Sequence, residues 1–181
     1  MKLEPQDVVR GWYAGIYANH DLISIKTYSG YSGGGVGDYK GKEHLLPPGA
    51  STPELGAALR DALAHSRFVL PAPVKDVWVH PDVEYDLDLY ELDKVLQRYK
   101  DWVARLMATY GYKTKRALFK DMKNCSVALL NGAIKIRPSY HEKLEAWDGE
   151  GITPDDHVLI SEKSTDAELG EAIRLALSRC L

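Results

Sequence analysis

Ser51-Thr-Pro-Glu-Leu-Gly-Ala-Ala-Leu-Arg-Asp-Ala-Leu63 returns later in the chain as Thr165-Asp-Ala-Glu-Leu-Gly-Glu-Ala-Ile-Arg-Leu-Ala-Leu177. Glu54, Leu55, Gly56, Ala58, Arg60, Ala62 and Leu63 are matched without a gap by Glu168, Leu169, Gly170, Ala172, Arg174, Ala176 and Leu177. Each copy opens with a hydroxyl residue and places Glu three positions on, the spacing at which side chains reciprocally satisfy the unpaired N–H groups of a helix start. Apolar or small residues at 55, 58, 59, 62 and 63, and at 169, 172, 173, 176 and 177, form a narrow stripe. Such a stripe lets a helix lie close on a sheet. Two capped helices built to one pattern are predicted, and neither copy contains a catalytic group.

Working backwards from each helix reveals the same order of elements twice. Residues 125–130, Asn131-Gly132 and residues 133–137 read as a tight hairpin, because Asn-Gly favours a turn that needs positive φ twice. Residues 12–17, a turn over 18–21 and residues 22–28 repeat the arrangement. After each hairpin comes a long polar connection, 29–42 or 139–156, then a short apolar strand at 44–46 or 157–160, then the capped helix. The predicted fold is α/β (α+β): a mixed, largely antiparallel sheet with covering helices, in two pseudo-repeated halves of about 10–67 and 124–180. A long helix over about 86–110 is expected to join them, since Leu89, Leu92, Leu96, Tyr99, Val103, Leu106 and Tyr110 step by three and four up to Gly111. Residues 74–80 lie between prolines and read as an edge strand or extended linker, and 114–122 as a short helix. A single domain over 1–181 is expected from the length.

Composition narrows the function. A net charge of -3 and a sequence pI near 6.1 do not describe a nucleic-acid binder or a membrane-surface protein. The first residues, Met-Lys-Leu-Glu-Pro-Gln-Asp, lack an apolar run of signal-peptide length, and no stretch is able to span a bilayer. Cys125 and Cys180 lack metal-site spacing and read as buried free thiols of a reducing compartment.

Motifs that carry chemistry fail one by one. The glycine-rich stretch 30–41 before Lys42 has Val36 where a phosphate loop needs its first glycine, and Glu43 where it needs a hydroxyl, so it reads as a flexible loop. The six histidines are scattered without the pairing that zinc requires. No nucleophile signature surrounds Ser126 or either cysteine. No metal, cofactor or catalytic residue is therefore assigned.

Charge clusters are more informative. Asp82, Glu84, Asp86, Asp88, Glu91 and Asp93 crowd carboxylates together with no basic residue among them. One reading is a helix start favoured by the dipole plus solvated surface. The other is a negative patch, with Tyr85 and Tyr90 inside it, that steers and docks a basic partner. A second acidic stretch, Glu145, Asp148, Glu150, Asp155 and Asp156 with Trp147, occupies the long connection of the second half. The basic run Lys113, Lys115, Arg116, Lys120 and Lys123 comes with neither aromatics on an exposed strand face nor a basic overall balance, and reads as solvated helix surface.

Tyr28-Ser-Gly-Tyr-Ser32, Glu54-Leu-Gly with Ala62-Leu and Ser66-Arg67, and Glu168-Leu-Gly-Glu-Ala-Ile-Arg-Leu-Ala-Leu-Ser-Arg-Cys180 resemble the immunity proteins of bacterial contact-dependent growth inhibition. The resemblance spans nearly the whole chain. It implies a cytoplasmic, non-enzymatic protein that binds the C-terminal toxin domain of its own strain's surface effector and neutralises it, often a nuclease acting on tRNA. The expected partner is that cognate toxin domain in a 1:1 heterodimer, with no nucleic acid bound directly and no membrane; homo-oligomerisation stays open. Candidate toxin-binding residues are Asp82, Glu84, Tyr85, Glu91, Asp148, Glu150, Asp155 and Asp156, with Tyr28 and Tyr31 as aromatic anchors of the glycine-rich loop. The alternatives are a small RNA-binding or regulatory module, which needs an exposed aromatic strand face, and an enzyme, which needs ionisable groups converging on a cleft.

Overall fold

A computed structural model describes residues 8–181; the reading of the first seven residues lies outside the described residues. In chain order the elements are β1 (Trp12–Ala18), β2 (Ile23–Ser29), β3 (Val36–Gly37), β4 (Glu43–Leu46), α1 (Thr52–Ala64), β5 (Val69–Leu70), β6 (Glu84–Tyr85), α2 (Leu87–Tyr90) and α3 (Leu92–Tyr110). There follow α4 (Lys115–Phe119), β7 (Lys123–Leu130), β8 (Ala133–Pro138), β9 (Tyr140–Lys143), β10 (Ala146–Asp148), β11 (Val158–Ser161) and α5 (Asp166–Ser178).

One antiparallel sheet runs through both halves in the order β11-β8-β7-β1-β2-β3, with β4 also on β2. Its centre is the pairing of the two hairpins through β1 and β7, where Gly15 lies opposite Ser126. Outward from there, Gly15 pairs with Lys26 on one side and Ser126 with Arg137 on the other. The halves are thus related by a pseudo-dyad between Gly15 and Ser126. The second hairpin turns at Asn131 (φ 48°) and Gly132 (φ 77°), the doubly positive turn that Asn-Gly favours.

α1 and α5 lie side by side on one face of the sheet. Leu55, Leu59, Leu63, Leu169, Ile173 and Leu177 meet Ile16, Ile25, Val127, Ile134 and Ile136 in the main core. Both capping boxes are formed, Ser51 with Glu54 and Thr165 with Glu168. The repeated glycines have a role beyond sheet packing: they let the two helices touch. A Cβ on Gly56 would collide with the Asp166 carbonyl oxygen, and one on Gly170 with that of Thr52. The repeated arginines cross over in the same way. Arg60 donates to Asp166 Oδ1 at 2.9 Å and to the carbonyls of Glu162 and Ser164, while Arg174 donates to the Ala50 carbonyl at 2.6 Å.

The other face of the sheet is covered unevenly. Trp102, Val103 and Leu106 of α3, with Leu118, Phe119 and Met122, close a second core over Leu22, joined by Tyr17, Leu45, Tyr99 and Trp147. The helix expected over 86–110 is divided. Asp86 caps α2, Glu91 takes an extended conformation (ψ 119°), and α3 begins afresh at Leu92. The break is stabilised from a distance, because the Arg98 guanidinium donates to the carbonyls of Asp88 and Leu89 that a continuous helix would have used. Leu92 and Leu96 consequently face solvent, at 67% and 46% exposure, instead of joining the apolar stripe.

The connection 139–156 is also more ordered than its polarity predicts. It folds into the β9–β10 hairpin and a 3-10 turn at Pro154–Asp156. Residues 74–80 form no strand and are an extended linker with turns; the short parallel pair β5–β6 lies on either side of it. Cys125 and Cys180 are free thiols whose Sγ atoms stand 3.6 Å apart. No described helix is long and apolar enough to cross a membrane.

Candidate functional site

The segment after α1, the turn after β3 and the passage from β6 into α2 are tied together by one arginine. Arg67 donates from Nε and a terminal nitrogen to the two carboxylate oxygens of Asp38, at 2.6 and 2.8 Å. Its other terminal nitrogen lies 3.0 Å from Asp86 and 3.6 Å from Glu84. Asp38 is fully buried at its side chain and its charge depends on this guanidinium, whereas Asp86, nearly as buried, is also met by Lys40 at 3.3 Å and by the Tyr39 hydroxyl. Burial raises the Asp86 carboxyl, but hydrogen bonds from Tyr39, Arg67 and Lys40 outweigh it and hold the group at about 2. Asp38 is likewise lowered: burial opposes ionisation, and Arg67, Ser29 and the Lys40 backbone overcome it.

Beside this network a cavity of about 400 Å³ opens between β2 and α3. Its floor is the sheet face turned away from α1 and α5, contributed by Tyr17, Lys26 and Tyr28; its far wall is Arg98, Tyr99, Trp102 and Arg105. The Tyr17 and Tyr28 hydroxyls are hydrogen-bonded at 2.9 Å, and burial raises both above the ordinary tyrosine value. Glu43 at the rim accepts from Trp102 Nε1 at 3.0 Å, Arg105 at 2.8 Å and Ser24 at 3.3 Å. The Lys26 ammonium stands 3.9 Å from the centre of the Trp102 ring and 5.5 Å from that of Tyr17. Burial lowers it to about 8, with Glu43 pulling it up and Arg105 pushing it down. The titratable groups here are largely paired with one another, and among the described residues no group of His, Cys, Asp or Glu is arranged to hold a metal.

The sequence model of CdiI, the CDI immunity protein, matches residues 13–180. The chain belongs to the CDI immunity protein family. The immunity protein CdiI-YPIII of Yersinia pseudotuberculosis serotype O:3 (strain YPIII) is 50% identical over 174 residues, covering 96% of this chain and 98% of the relative. A solved structure described as the CdiA-CT/CdiI toxin and immunity complex from Yersinia pseudotuberculosis superposes with a TM-score of 0.93 at 50% identity, over 97% of this chain and 100% of that one. A protein of unknown function from Neisseria meningitidis, 38% identical, superposes with a TM-score of 0.80 over the full length of both chains.

In this member of the immunity family the nominated residues fall into two acidic groups and two tyrosines with different settings. Asp82, Glu84, Tyr85 and Glu91 are exposed along one segment, near Trp78, Leu87 and Leu92, which are 42%, 59% and 67% exposed. Glu84 approaches Arg67, and Glu91 lies 3.3 Å from Lys94. Asp148, Glu150 and Asp155 are exposed in the second acidic stretch, but Asp156 accepts from Thr153 N and Oγ1 and so has a local structural role. Tyr31 stacks on Phe68 at 4.9 Å and accepts from the His80 N–H. Tyr28 is the exception: it is no loop anchor but a β2 residue, half-buried in the cavity beside Lys26. Sequence reasoning missed Lys26, Trp102 and Arg67. Strand alternation in Ile23-Ser-Ile-Lys-Thr-Tyr28 puts Lys26 and Tyr28 on one face, but nothing local announces that α3 will cover it.

Proposed function

We propose that this chain is a cytoplasmic immunity protein that binds the C-terminal toxin domain of a contact-dependent growth inhibition effector in a 1:1 complex and neutralises it without catalysis. The observation that carries the reading is the near-complete superposition on a chain solved in a toxin and immunity complex. The toxin we infer is a nuclease that acts on tRNA, and a net charge of -3 suits a stoichiometric inhibitor of a basic nucleic-acid enzyme. We place recognition on the exposed 78–92 segment, where apolar side chains and Asp82, Glu84 and Glu91 alternate, with Tyr31 beside it and the Asp148–Asp155 stretch as the competing surface. The two halves share one sheet and are proposed to act as a single domain.

Co-expression with the toxin domain encoded beside this chain tests the proposal. Growth should be restored, the two chains should elute as one 1:1 species, and the toxin's cleavage of purified tRNA should stop at equimolar inhibitor. Toxin that stays active beside soluble, folded inhibitor would sink the reading.

A further inference from the structure

Lys26 is a cation that Glu43 influences only from a distance. Its ammonium is walled by the faces of Trp102 and Tyr17, and among the described residues it makes no hydrogen bond or ion pair. The carboxylates around the cavity are already engaged, and Lys42 lines it as a further cation with no ion pair among the described residues. Glu43 accepts three hydrogen bonds from Trp102, Arg105 and Ser24. Asp38 is held by Arg67, and Asp101 accepts from Gln97 at 2.9 Å. Arg98 is spent on the two carbonyls at the break before α3. A buried ammonium on aromatic walls is only partly compensated for its lost hydration. Its lowered proton affinity, to about 8, reports the same deficit.

The cavity also offers a second donor. Of the two hydroxyl protons of Tyr17 and Tyr28, one bridges the pair and the other remains free. Both phenols stay protonated at neutral pH, because burial raises them. We propose that this cavity is a receptor for one carboxylate side chain presented by the bound toxin, which pairs with Lys26 and accepts from the tyrosine hydroxyl pair. This deepens the function proposed above and rests on it. A single carboxylate suits the cavity better than a nucleic-acid backbone: its lining sets Lys26, Lys42, Arg98 and Arg105 against Asp38, Glu43 and Asp101, a near-even balance that favours one anion at the Lys26 ammonium over a chain of phosphates. About 400 Å³ holds such a side chain with the residues that flank it.

The test uses the purified complex with the toxin domain encoded beside this chain, and compares wild type with K26M and K26R. K26M should weaken toxin binding by about 30-fold or more, chiefly through faster dissociation, while melting at the same temperature as wild type or higher. K26R should retain most of the affinity. A second readout needs no variant: brief treatment with acetic anhydride near pH 8 should acetylate Lys26 in the free protein, and mass spectrometry should find it protected in the complex. Unchanged affinity of a folded K26M protein, or equal acetylation of Lys26 free and bound, would overturn the carboxylate receptor. So would protection of Lys26 by a single-stranded oligonucleotide alone. If wild type forms no complex at all, the immunity reading itself fails, which keeps the two failures apart.

Discussion

Lys26 and Arg137 occupy equivalent places: each lies opposite a central residue, Gly15 or Ser126, that pairs across the pseudo-dyad. Around Lys26 the sheet is roofed by α3, and the position becomes the floor of a cavity. Around Arg137 it is not, and Arg137 stays exposed, as does Leu159 on the neighbouring strand. The opposite face shows no such inequality, since α1 and α5 reproduce each other down to the crossing glycines and exchanged arginines. One face of the sheet therefore keeps the symmetry of the repeat and the other has lost it. The duplicated face supplies stability that the two halves share. The other side is where a repeat acquires features of its own: a cavity on the α3-covered face and, at the β2–β3 edge beside it, an ion network that reaches the acidic segment.

The largest expected effect breaks the unequal side. Arg67 has no counterpart, since the matching position of the second half is Leu181. R67M leaves Asp38 and Asp86 without their guanidinium and should cost about 3–5 kcal/mol of stability at pH 7, measured by urea unfolding. The pH dependence carries a sign. Both carboxyls titrate below their unfolded value of about 3.8, so their contribution is present above pH 4 and is lost as pH falls towards 2. That acid loss should be smaller in R67M, chiefly by the part belonging to Asp38, since Tyr39 and Lys40 still hold Asp86. An L181M control should change little, because Leu181 is exposed.

Leu55 and Leu169 sharpen the symmetric side. Both are fully buried at the same position of the repeat. L55A and L169A should each cost about 2–5 kcal/mol. The symmetry adds a stricter demand, that the two losses agree within roughly 1 kcal/mol, since their surroundings are alike. A large inequality would show that the halves share a pattern but not an environment.

The glycine crossing is a smaller effect of the same kind. G56A and G170A each force a methyl group against a backbone carbonyl, and each should cost about 1–3 kcal/mol as the helices move apart. Because both substitutions open the same contact, the double variant should lose less than the sum. Full additivity would mean that the two helices yield independently.

The legible parts of this fold are those whose cause is local. Ser51 with Glu54, Thr165 with Glu168 and Asn131-Gly132 carry their own geometry, so both helices and the second hairpin could be read from a few neighbours. The joint between the halves was not legible, because the pairing of β1 with β7 is a property of positions more than a hundred residues apart. The same holds for the division at Glu91, which unbroken three-and-four spacing conceals and which Arg98 stabilises from the next turns of chain. The β9–β10 hairpin was hidden by its polarity, although Trp147 stacks on His141 and packs into the second core. Of the candidate site, the acidic exposure of 82–91 was visible in composition. The cavity was not, since it exists only where a helix from the middle of the chain crosses a strand from its beginning.

The smallest effect on stability should be the largest on recognition. Asp82 and Glu91 are exposed, and among the described residues their carboxylates pair with only His80 and Lys94, so reversing both to Lys should change stability by less than about 1 kcal/mol. Glu84 is left intact because it neighbours Arg67, and a lysine there would disturb the ion network rather than the surface alone. Against a basic toxin the reversed protein should associate more slowly, and its association rate should depend less on salt, since steering follows the complementarity of the two potentials. The matching reversal of Asp148, Glu150 and Asp155 provides the comparison, with Asp156 kept because it caps the turn at Thr153. Stopped-flow association at two ionic strengths separates the patches: the one that faces the toxin loses rate and salt dependence, and the other loses neither. If both reversed proteins associate as wild type does, acidity is only solvated surface on either half. Recognition then has to lie in the uncharged groups of the unequal side, where Trp78 and Tyr85 are exposed and Tyr31 is already braced on Phe68.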